Sequence, residues 1–509
     1  MKKLLLSLLT GILLFISWPN NGLSFFIFFA FVPLFILSDM ILKKGLSSFS
    51  AIKFFFFSFF LFNVLTTYWI WNASPGGSIF AFIVNSLMMT FVFWTFQFSR
   101  KVISTRLSFF LLITVWISME YIHLNWQLSW PWLILGNVFS NDVFLVQWYE
   151  YTGILGGSLW ILLANIYLYK SFLNKKLDLK TSLVLIIPII FSLIIKKNKI
   201  PIDKLDVIIV QPNIDPYTEK FTADSKYHFE SFLSKIDSIA TSETDLVLAP
   251  ETFLQEQIWE HLFENSVSYN GLQKLINKYP NLNILIGATT FKILDSNSLT
   301  STARKVIGKN IYYDVYNSAI LISKKSYEFY HKTKLVPGAE STPFPKVFDK
   351  LSAKIIELGG ISGSLASDNY LSSFSISKFK IKPLICYESV YGHLVNESDN
   401  LICVITNDGW WGDTQGYKQH FSYSKLRAIE SRKSLVRSAN TGISGVILPN
   451  GRVSSSLQWD KKKYLSTEVG IYDQKTFYNK YGDYLGRISA FISVMILLIF
   501  IPKRIIFSS

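Results

Sequence analysis

The stretch FKIKPLICYES, residues 379–389, sets a run of strand-forming residues directly before Cys386 and a polar Tyr-Glu-Ser corner. Open α/β sheets place their sites where strands end, so this thiol is a candidate nucleophile. The only other cysteine, Cys403, lies within a second apolar run, and two such cysteines make no disulfide framework. A cysteine after an apolar run is more often a small core residue, so the stretch by itself leaves both interpretations open.

Similar strand-like runs recur between residues 200 and 485 and alternate with helical patterns. The runs are LDVIIVQPN (205–213), TDLVLAPET (244–252), LNILIGATT (282–290), VYNSAILIS (315–323), FKIKPLICYES (379–389) and NLICVITNDGWWG (400–412). Apolar residues at helical spacing between the first two runs predict a helix, and a second amphipathic helix is predicted over 420–433. The region is long enough to bury a full core, which predicts an α/β or α+β domain.

Three of these segments carry polar residues that suit a cysteine nucleophile. Glu251 follows a strand-like run, KTKLVPGAE offers Lys332 and Glu340, and Glu388 comes two residues after Cys386. A cysteine needs a base or a cationic neighbour to become a thiolate. Glu251 is the candidate base, and Lys332 is a candidate cation that also stabilises an oxyanion. Taken singly, each is more often a surface or core residue, and no spacing rule links them.

Other chemistries find less support in the sequence. A Cys–His pair remains open, because His393 follows Cys386 by seven residues and His331 adjoins Lys332. Metal-ligand spacings such as Cys-x-x-Cys do not occur, and no glycine-rich phosphate loop follows a strand. The basic and aromatic stretch at 422–437 is explained by an amphipathic helix and a strand rather than by nucleic-acid binding. We therefore expect no metal, no cofactor and no nucleic-acid partner.

The first 200 residues are unlike the rest, because long apolar runs dominate them. Half of the 509 residues are hydrophobic, which is rare in a soluble enzyme of this length. Runs near the ~20 residues that a bilayer requires predict membrane spans. The predicted spans are 4–18, 23–41, 52–71, 79–98, 107–125, 153–171, 182–195 and 487–502. This predicts a membrane domain at 1–199 with about seven helices, a second domain at 200–485, and a last span with its tail at 486–509.

The charged residues of the short loops predict how the chain is oriented. The net charge is +15, and much of the excess flanks apolar runs. Lysine and arginine precede the first span and follow the second, fourth, sixth and last, whereas the loops near 19–22 and 72–78 are uncharged. By the positive-inside rule, both termini are expected in the cytoplasm and 200–485 on the outer face.

Taken together, the three motifs resemble the carbon–nitrogen hydrolase (nitrilase) superfamily. The motifs are PET with Glu251, K-x-K-LVP-x-x-E with Lys332 and Glu340, and CYE with Cys386. The membrane spans narrow the resemblance to the apolipoprotein N-acyltransferase family of bacterial envelopes. Further segments resemble that family: WPWLILGN (130–137), TNDGWWGDTQGYKQH (406–420), LRAIESRKSLVRSANTGISGVILPNGR (426–452) and KYGDYLGR (480–487).

The resemblance implies a fold and a reaction. The fold is a multi-span helical membrane domain with an α-β-β-α sandwich domain. Cys386 takes an acyl chain from a phospholipid as a thioester and passes it to the N-terminal amine of the diacylglyceryl-cysteine of an apolipoprotein. Glu251 moves the proton, and Lys332 holds the oxyanion together with a backbone N–H near Tyr387. The remaining residues that the resemblance assigns to substrate binding or support are Glu340, Tyr387, Glu388, Trp410 and Trp132.

The resemblance also implies a setting and partners. The setting is the bacterial inner membrane, with the catalytic domain on the periplasmic face. The partners are the bilayer, a phospholipid donor and an apolipoprotein acceptor, and the protein is expected to be a monomer. The outer loops with Trp130 and Trp132, and the glycine- and serine-rich segment 357–373, are expected to shape the lipid entrance.

Two departures from the family pattern stand out. Val-Pro-Gly-Ala-Glu at 336–340 replaces the common Val-Pro-Phe-Gly-Glu, but Glu340 keeps its offset from Lys332, so its polar role is expected to be retained. Phe221 stands where a family tryptophan aligns.

Two other functions remain as alternatives. A membrane-anchored amidase would use the same triad but admit water, although the predicted spans exceed what an anchor requires. A transporter usually needs ionisable residues at mid-membrane. The spans offer few of them, namely Lys53, Glu120 and His123, all near span ends. A requirement for phospholipid rather than for an ion gradient would discriminate between these classes.

Overall fold

The computed structural model describes most of the chain. Beyond residue 498 it describes the backbone only. The described ranges are 1–195, 200–217, 225–324, 326–344 and 364–507. The chain divides into two compact units. One is Met1–Lys197 together with Thr476–Ser509, and the other is Asn198–Lys475.

The first unit is helical. Its α-helices in the described residues are α1 Lys2–Ser17, α2 Val32–Lys43, α3 Ile52–Thr67, α4 Ile70–Ala73, α5 Pro75–Ser99, α6 Thr105–Asn125, α7 Tyr149–Thr152, α8 Ile154–Asn174, α9 Leu179–Ile195, α13 Phe477–Tyr481 and α14 Tyr484–Phe507. Helix α5 shows why such a helix begins where it does. Pro75 occupies its first turn, where no backbone N–H is needed, and the Ser74 hydroxyl accepts from Gly77 N–H at 3.2 Å.

Several of these helices are long and apolar enough to cross a membrane. Among the described residues, four helical segments meet both criteria: Ser24–Lys43, Ser48–Thr67, Pro75–Ser99 and Thr105–Asn125. The apolar helices Leu179–Ile195 and Tyr484–Leu498 are shorter. The predicted class of a helical membrane region is confirmed, whereas the number of crossings stays a prediction.

Aromatic rings fill the interior of this unit. Phe31 of the turn before α2 lies against Trp116 of α6, with ring centroids 5.1 Å apart, and against Phe93 of α5 at 5.4 Å. Phe59 of α3 contacts the same Phe93 at 5.3 Å. Tilted and edge-on aromatic pairs at this spacing add to the stabilisation from burial, so the phenylalanine-rich composition supplies the packing between these helices.

Helix α9 contains a proline, and a side chain of α8 replaces the hydrogen-bond donor that the proline lacks. Pro188 has no backbone N–H, so the Val184 carbonyl four residues earlier loses its helical donor. The indole Nε1 of Trp160 donates to that carbonyl at 2.8 Å. This hydrogen bond ties α9 to α8 at the point where the helix itself cannot supply a donor.

The second unit contains two β-sheets. In the described residues the first sheet has the order β14-β1-β2-β4-β6-β5, with β3 paired to β4 and β7 paired to β6. Its strands are β1 Asp203–Gln211, β2 Thr244–Leu248, β3 Leu254–Trp259, β4 Asn283–Leu294, β5 Arg304–Lys305, β6 Tyr312–Ile322, β7 Tyr327–His331 and β14 Lys463–Ile471. Strands β1, β2 and β4 are parallel neighbours.

The second sheet has the order β13-β12-β11-β10-β9-β8 in the described residues. Its strands are β8 Phe374–Ile376, β9 Phe379–Ile385, β10 Leu401–Thr406, β11 Ser434–Ala439, β12 Ser444–Ile447 and β13 Val453–Leu457. Strands β9, β10 and β11 run parallel, with Ile385 beside Ile405 and Thr406 beside Ala439. Their carboxyl ends therefore lie along one edge of the sheet.

The two sheets pack face to face and helices cover their outer faces. Leu248 and Leu285 of the first sheet share one buried cluster with Ile385 and Cys403 of the second. Helices α10 Ser225–Ile239 and α11 Val267–Lys278 bury apolar side chains against the outer face of the first sheet. Helix α12 Gln415–Ser431 packs on β11 and β12 of the second sheet. The predicted α-β-β-α sandwich is confirmed.

Candidate active site

Glu251 stands where β2 ends, on a turn that lies tightly against β4. A Cβ at Gly287 of β4 would fall 2.5 Å from the Thr252 nitrogen and 2.6 Å from Glu251 Cα, so only glycine allows this approach. The Glu251 side chain is nearly buried and accepts hydrogen bonds at both oxygens. Oε2 accepts from the Asn407 N–H at 3.1 Å, directly after β10 of the opposite sheet. The carboxylate therefore spans the space between the two sheet edges.

Lys332 lies between two carboxylates. Its side chain is 1% exposed, and Nζ is 2.8 Å from Glu340 Oε1 and 3.4 Å from Glu251 Oε1. Burial alone would lower the pKa of Lys332, but Glu340 and Glu251 together raise it above its ordinary value. The side chain is therefore a permanent cation inside the site.

Asn317 joins the same carboxylates from β6. Its Nδ2 donates to Glu251 Oε1 at 2.8 Å and to Glu340 Oε1 at 2.9 Å. Asn317 was not among the residues predicted from the sequence. The available signal was an asparagine in the middle of an apolar strand, where an amide is costly unless it is hydrogen-bonded.

The sequence Val-Pro-Gly-Ala-Glu at 336–340, which departs from the family pattern, suits the backbone of the turn that it forms. Gly338 has φ of 80°, in the left-handed region that glycine adopts without steric cost. Glu340 N–H donates to the Val336 carbonyl at 2.9 Å, and Glu340 Oε2 accepts from Val336 N–H at 2.8 Å. The turn thus holds Glu340 against Lys332 although the phenylalanine is missing.

Cys386 begins a short 3-10 helix, Cys386–Val390, at the end of β9. Its φ of 50° lies in the left-handed region, which costs a non-glycine residue about 1–2 kcal/mol. Burial raises the pKa of the Cys386 thiol above its ordinary value, and Glu251 adds to the rise whereas Lys332 opposes it. The thiol therefore lies within electrostatic reach of both residues. Cys403, by contrast, is fully buried between the sheets.

Glu388 connects the Lys332 segment with the Cys386 corner. Its fully buried carboxylate accepts from Thr333 N–H at 2.7 Å, Tyr330 hydroxyl at 2.8 Å and Ile385 N–H at 2.8 Å. Thr333 directly follows Lys332, and Ile385 directly precedes Cys386. One side chain therefore fixes the backbone on both sides of the site.

His331, which adjoins Lys332, contacts side chains other than Cys386. His331 Nε2 lies 2.6 Å from Glu260 Oε1, and Nδ1 lies 3.5 Å from Asp368 Oδ2. Its ring stacks on Tyr316 with centroids 3.9 Å apart. These contacts do not support a Cys–His pair with His331.

The other predicted residues are spread more widely. Tyr387 is buried, and its ring lies edge-on to Tyr391 at 5.2 Å. The Trp410 carbonyl accepts from the Tyr217 hydroxyl at 2.8 Å. Trp132 belongs to the helical unit, where its buried ring contacts Trp69 at 5.1 Å.

Part of the predicted entrance can be placed. Phe221 and residues 357–363 lie outside the described residues. The described part of the 357–373 segment forms backbone hydrogen bonds with residues next to the site. Leu365 N–H donates to the Glu340 carbonyl at 2.8 Å, and Ala366 N–H donates to the Val315 carbonyl at 2.9 Å. The segment therefore reaches the Glu340 turn.

Comparison with known families agrees with this architecture. The profile of the carbon–nitrogen hydrolase family matches residues 207–473, and that of the apolipoprotein N-acyltransferase N-terminal domain matches residues 10–167. The chain belongs to the apolipoprotein N-acyltransferase family, within the carbon–nitrogen hydrolase superfamily. The resemblance noted in the sequence is confirmed, and the chain is an acyltransferase. Membership in this family of bacterial membrane enzymes implies lipid and lipoprotein substrates.

Relatives of this family align over most of their length. An apolipoprotein N-acyltransferase from Chlorobaculum tepidum is 27% identical, and the alignment covers 99% of this chain and 97% of that protein. One from Geobacter metallireducens is 25% identical, with 95% and 92% covered. One from Rickettsia prowazekii is 28% identical, with 75% and 74% covered.

Solved structures of the superfamily align with about half of the chain. A CN-hydrolase superfamily protein from Xanthomonas campestris is 14% identical, with 53% of this chain and 91% of that chain covered and a TM-score of 0.35. A nitrilase superfamily member from Saccharomyces cerevisiae is 15% identical, with 54% and 93% covered and a TM-score of 0.36.

Proposed function

We propose that this protein transfers an acyl chain from a membrane phospholipid to the N-terminal amine of the diacylglyceryl-cysteine of apolipoproteins, through a thioester on Cys386. The observation that carries the proposal is the buried cluster at the sheet edges. In it, the Lys332 ammonium lies 3.4 Å from the Glu251 carboxylate, and the charges of both residues shift the pKa of the buried Cys386 thiol. A nucleophile, a base and a cation are the groups that acyl transfer requires.

In the first step, Cys386 Sγ attacks the carbonyl carbon of a phospholipid ester. The thiol proton passes to Glu251, and the carbonyl oxygen becomes an oxyanion. Lys332 and the Tyr387 N–H stabilise that charge. The carbon–oxygen bond to the glycerol then breaks, the leaving alkoxide takes the proton from Glu251, and a lysophospholipid departs. The acyl chain remains on Cys386 as a thioester.

In the second step, the α-amine of the apolipoprotein attacks the thioester carbonyl. Glu251 takes a proton from the attacking nitrogen, and the same cation and N–H hold the second oxyanion. The carbon–sulfur bond breaks, an amide forms, and Glu251 returns the proton to the Cys386 thiolate. Dividing the transfer in this way lets two substrates use the site in turn.

The raised pKa of Cys386 supports a base that acts during the attack. Burial raises the pKa of this thiol, so it stays protonated at neutral pH in the resting enzyme. A preformed thiolate is therefore not the resting state, and the proton must leave as the carbon–sulfur bond forms. Glu251 suits that role, because Asn317 of β6 and Asn407, directly after β10, hold its carboxylate in place.

The other predicted residues take supporting roles. Glu340 holds Lys332 and Glu388 positions the segments on both sides of the thiol. We assign Trp410 and Trp132 to contacts with the lipid substrates, in a protein that works as a monomer.

The test is to follow both half-reactions. The purified full-length protein is incubated with a bacterial phospholipid extract, and Cys386 is examined by mass spectrometry for one added acyl group. One equivalent of lysophospholipid should form in a burst and then stop. A diacylglyceryl-cysteine peptide should restart turnover, whereas the same peptide with an acetylated amine should not. Steady release of fatty acid without an acceptor would instead indicate a hydrolase, and the transferase proposal would be wrong.

We further propose the inner membrane as the location, with 1–199 and 486–509 in the bilayer region and 200–485 on the periplasmic face. The charged loops support this orientation. In a variant with both native cysteines replaced by alanine, a cysteine introduced at Ile307, which is 99% exposed, should react with an impermeant thiol reagent in intact cells. A cysteine introduced at Lys44 should react only after lysis. The reverse pattern would contradict the orientation.

A further inference from the structure

His420 lies beside the nucleophile corner but takes no part in the steps above. It is fully buried on α12, and its Nε2 is 3.1 Å from the Cys386 carbonyl oxygen and 2.8 Å from Ser389 Oγ. The Ser389 hydroxyl donates to the same carbonyl at 2.8 Å. Two side chains therefore converge on the backbone carbonyl of the nucleophile rather than on its sulfur.

The imidazole is itself held on its other side. Nδ1 lies 2.9 Å from both Asp408 Oδ1 and Arg437 Nη2, and all three side chains are fully buried. Burial, with help from the Arg437 guanidinium, lowers the pKa of His420, so the ring is neutral at neutral pH. A carbonyl only accepts hydrogen bonds, so the single ring hydrogen must be on Nε2 for the ring to bind the Cys386 carbonyl. In that tautomer Nδ1 and Asp408 Oδ1 are both acceptors, and the Arg437 guanidinium holds them together, because its Nη2 donates to Nδ1 and to Asp408 Oδ2. Thr406 donates to Asp408 Oδ1.

The carbonyl of Cys386 and the N–H of Tyr387 belong to one peptide group. A peptide is planar, and in the trans form its C=O and N–H point to opposite sides. The structure has no cis peptide bond in the described residues. Fixing the direction of the Cys386 carbonyl therefore fixes the direction of the Tyr387 N–H.

We infer that His420 is a positioning residue, which holds the Cys386 carbonyl so that the Tyr387 N–H points at the oxyanion. The inference rests on the proposed function, because it requires an acyl intermediate at Cys386. A hydrogen bond received by the carbonyl also polarises the peptide and strengthens its N–H as a donor.

The corner requires such support because it is strained. The left-handed φ of Cys386 persists only if the surroundings determine it. Helix α12 supplies contacts at both ends of the 3-10 helix, since His420 bonds near Cys386 and Arg427 donates to the Val390 carbonyl. The two α12 residues are seven positions apart, so they lie on one face of that helix.

The alternative is a structural role, in which His420 serves only to bury Asp408 and Arg437. Two substitutions separate the roles. Asparagine places its amide about where Nδ1 lies and keeps the side facing Asp408. Glutamine reaches about as far as Nε2 and keeps the contact with the Cys386 carbonyl. The positioning role therefore predicts that His420→Gln retains more activity than His420→Asn.

The experiment compares two reactions of the same thiol in a Cys403→Ala background. Acylation by phospholipid passes through an oxyanion, whereas alkylation by iodoacetamide does not. His420→Asn should slow single-turnover acylation about tenfold to a hundredfold, a fraction of the 10²–10³ that losing an oxyanion donor costs. Alkylation should stay within about twofold of the parent. His420→Gln should stay within about fivefold of the parent in both reactions.

Ser389→Ala provides a second variant, should His420→Asn fold poorly. It removes one donor to the Cys386 carbonyl and should slow acylation several-fold with alkylation unchanged. The inference is overturned if acylation and alkylation fall together in these variants, or if His420→Asn and His420→Gln acylate at equal rates. A parent protein that forms no acyl adduct on Cys386 would instead overturn the proposed function, and the inference with it.

Discussion

Replacing Glu388 by glutamine tests whether one buried carboxylate keeps the two sides of the site together. Oε1 accepts from Thr333 N–H at 2.7 Å, Thr333 Oγ1 at 2.8 Å and Tyr330 hydroxyl at 2.8 Å. Oε2 accepts from Ile385 N–H at 2.8 Å. A carboxylate accepts at both oxygens, whereas glutamine has one acceptor oxygen and one NH2 donor. The substitution therefore changes hydrogen bonding with almost no change in volume.

The structure predicts where the damage falls and how large it is. If the glutamine NH2 faced Thr333 and Tyr330, the backbone N–H groups of Thr333 and Lys334 would both lose their acceptor, whereas on the other side only the Ile385 N–H would, so the oxygen should stay on the Thr333 side. The NH2 then meets Ile385 N–H, and two donors face each other next to Cys386. Losing a hydrogen bond to a charged group costs about 1.5–3 kcal/mol. With the donor contact added, we expect the Cys386 corner to lose roughly 2–4 kcal/mol of local stability.

Amide hydrogen exchange followed by mass spectrometry measures this loss. Exchange in the peptide 379–390 should accelerate about 30-fold to several hundredfold, since each 1.4 kcal/mol is tenfold. Exchange in 283–286 of β4 should not change. Glu468→Gln is the matched control, because Glu468 pairs with Lys204 on the surface and its side chain is 54% exposed. Exchange in 379–390 as slow as in the parent, with unchanged acylation, would refute the reasoning.

Four further substitutions test the site. Glu251→Gln should slow acylation by about 10²–10⁴, the usual contribution of a general base. It should also shift the pH profile of Cys386 alkylation to lower pH, because the carboxylate that raises the pKa of the thiol is gone; a shift to higher pH would contradict this. Lys332→Met should abolish acylation and shift the alkylation profile to higher pH, since the ammonium lowers that pKa; a shift to lower pH would contradict its charge role. Gly287→Ala should displace the Glu251 turn and slow acylation at least tenfold, with exchange in 379–390 as the control for the fold. Cys403→Ala should acylate within about twofold of the parent; loss of turnover there, with Cys386→Ala active, would reverse the assignment of the nucleophile.

The sequence contained enough local information to predict the fold class. Strand-like apolar runs such as 205–213 and 400–412 contain β1 and β10. A strand that is buried on both faces of its sheet needs apolar residues at consecutive positions, and these runs have them. Long apolar runs in the first 200 residues became helices for a similarly local reason, since a helix satisfies its own backbone groups. The residues at strand ends, Glu251 and Cys386, were candidates because the ends of parallel strands meet at one sheet edge.

The sequence by itself thus determined the class of the fold, the strand ends and, through the family motifs, the candidate triad. Only the tertiary structure decided which groups surround that triad. Asn317 bridges Glu251 and Glu340 across 66 and 23 positions, and Glu388 reaches Thr333 across 55. His420 reaches the Cys386 carbonyl across 34 positions. Spacing along the chain does not encode such contacts, because sheet register and the packing of α12 bring the partners together.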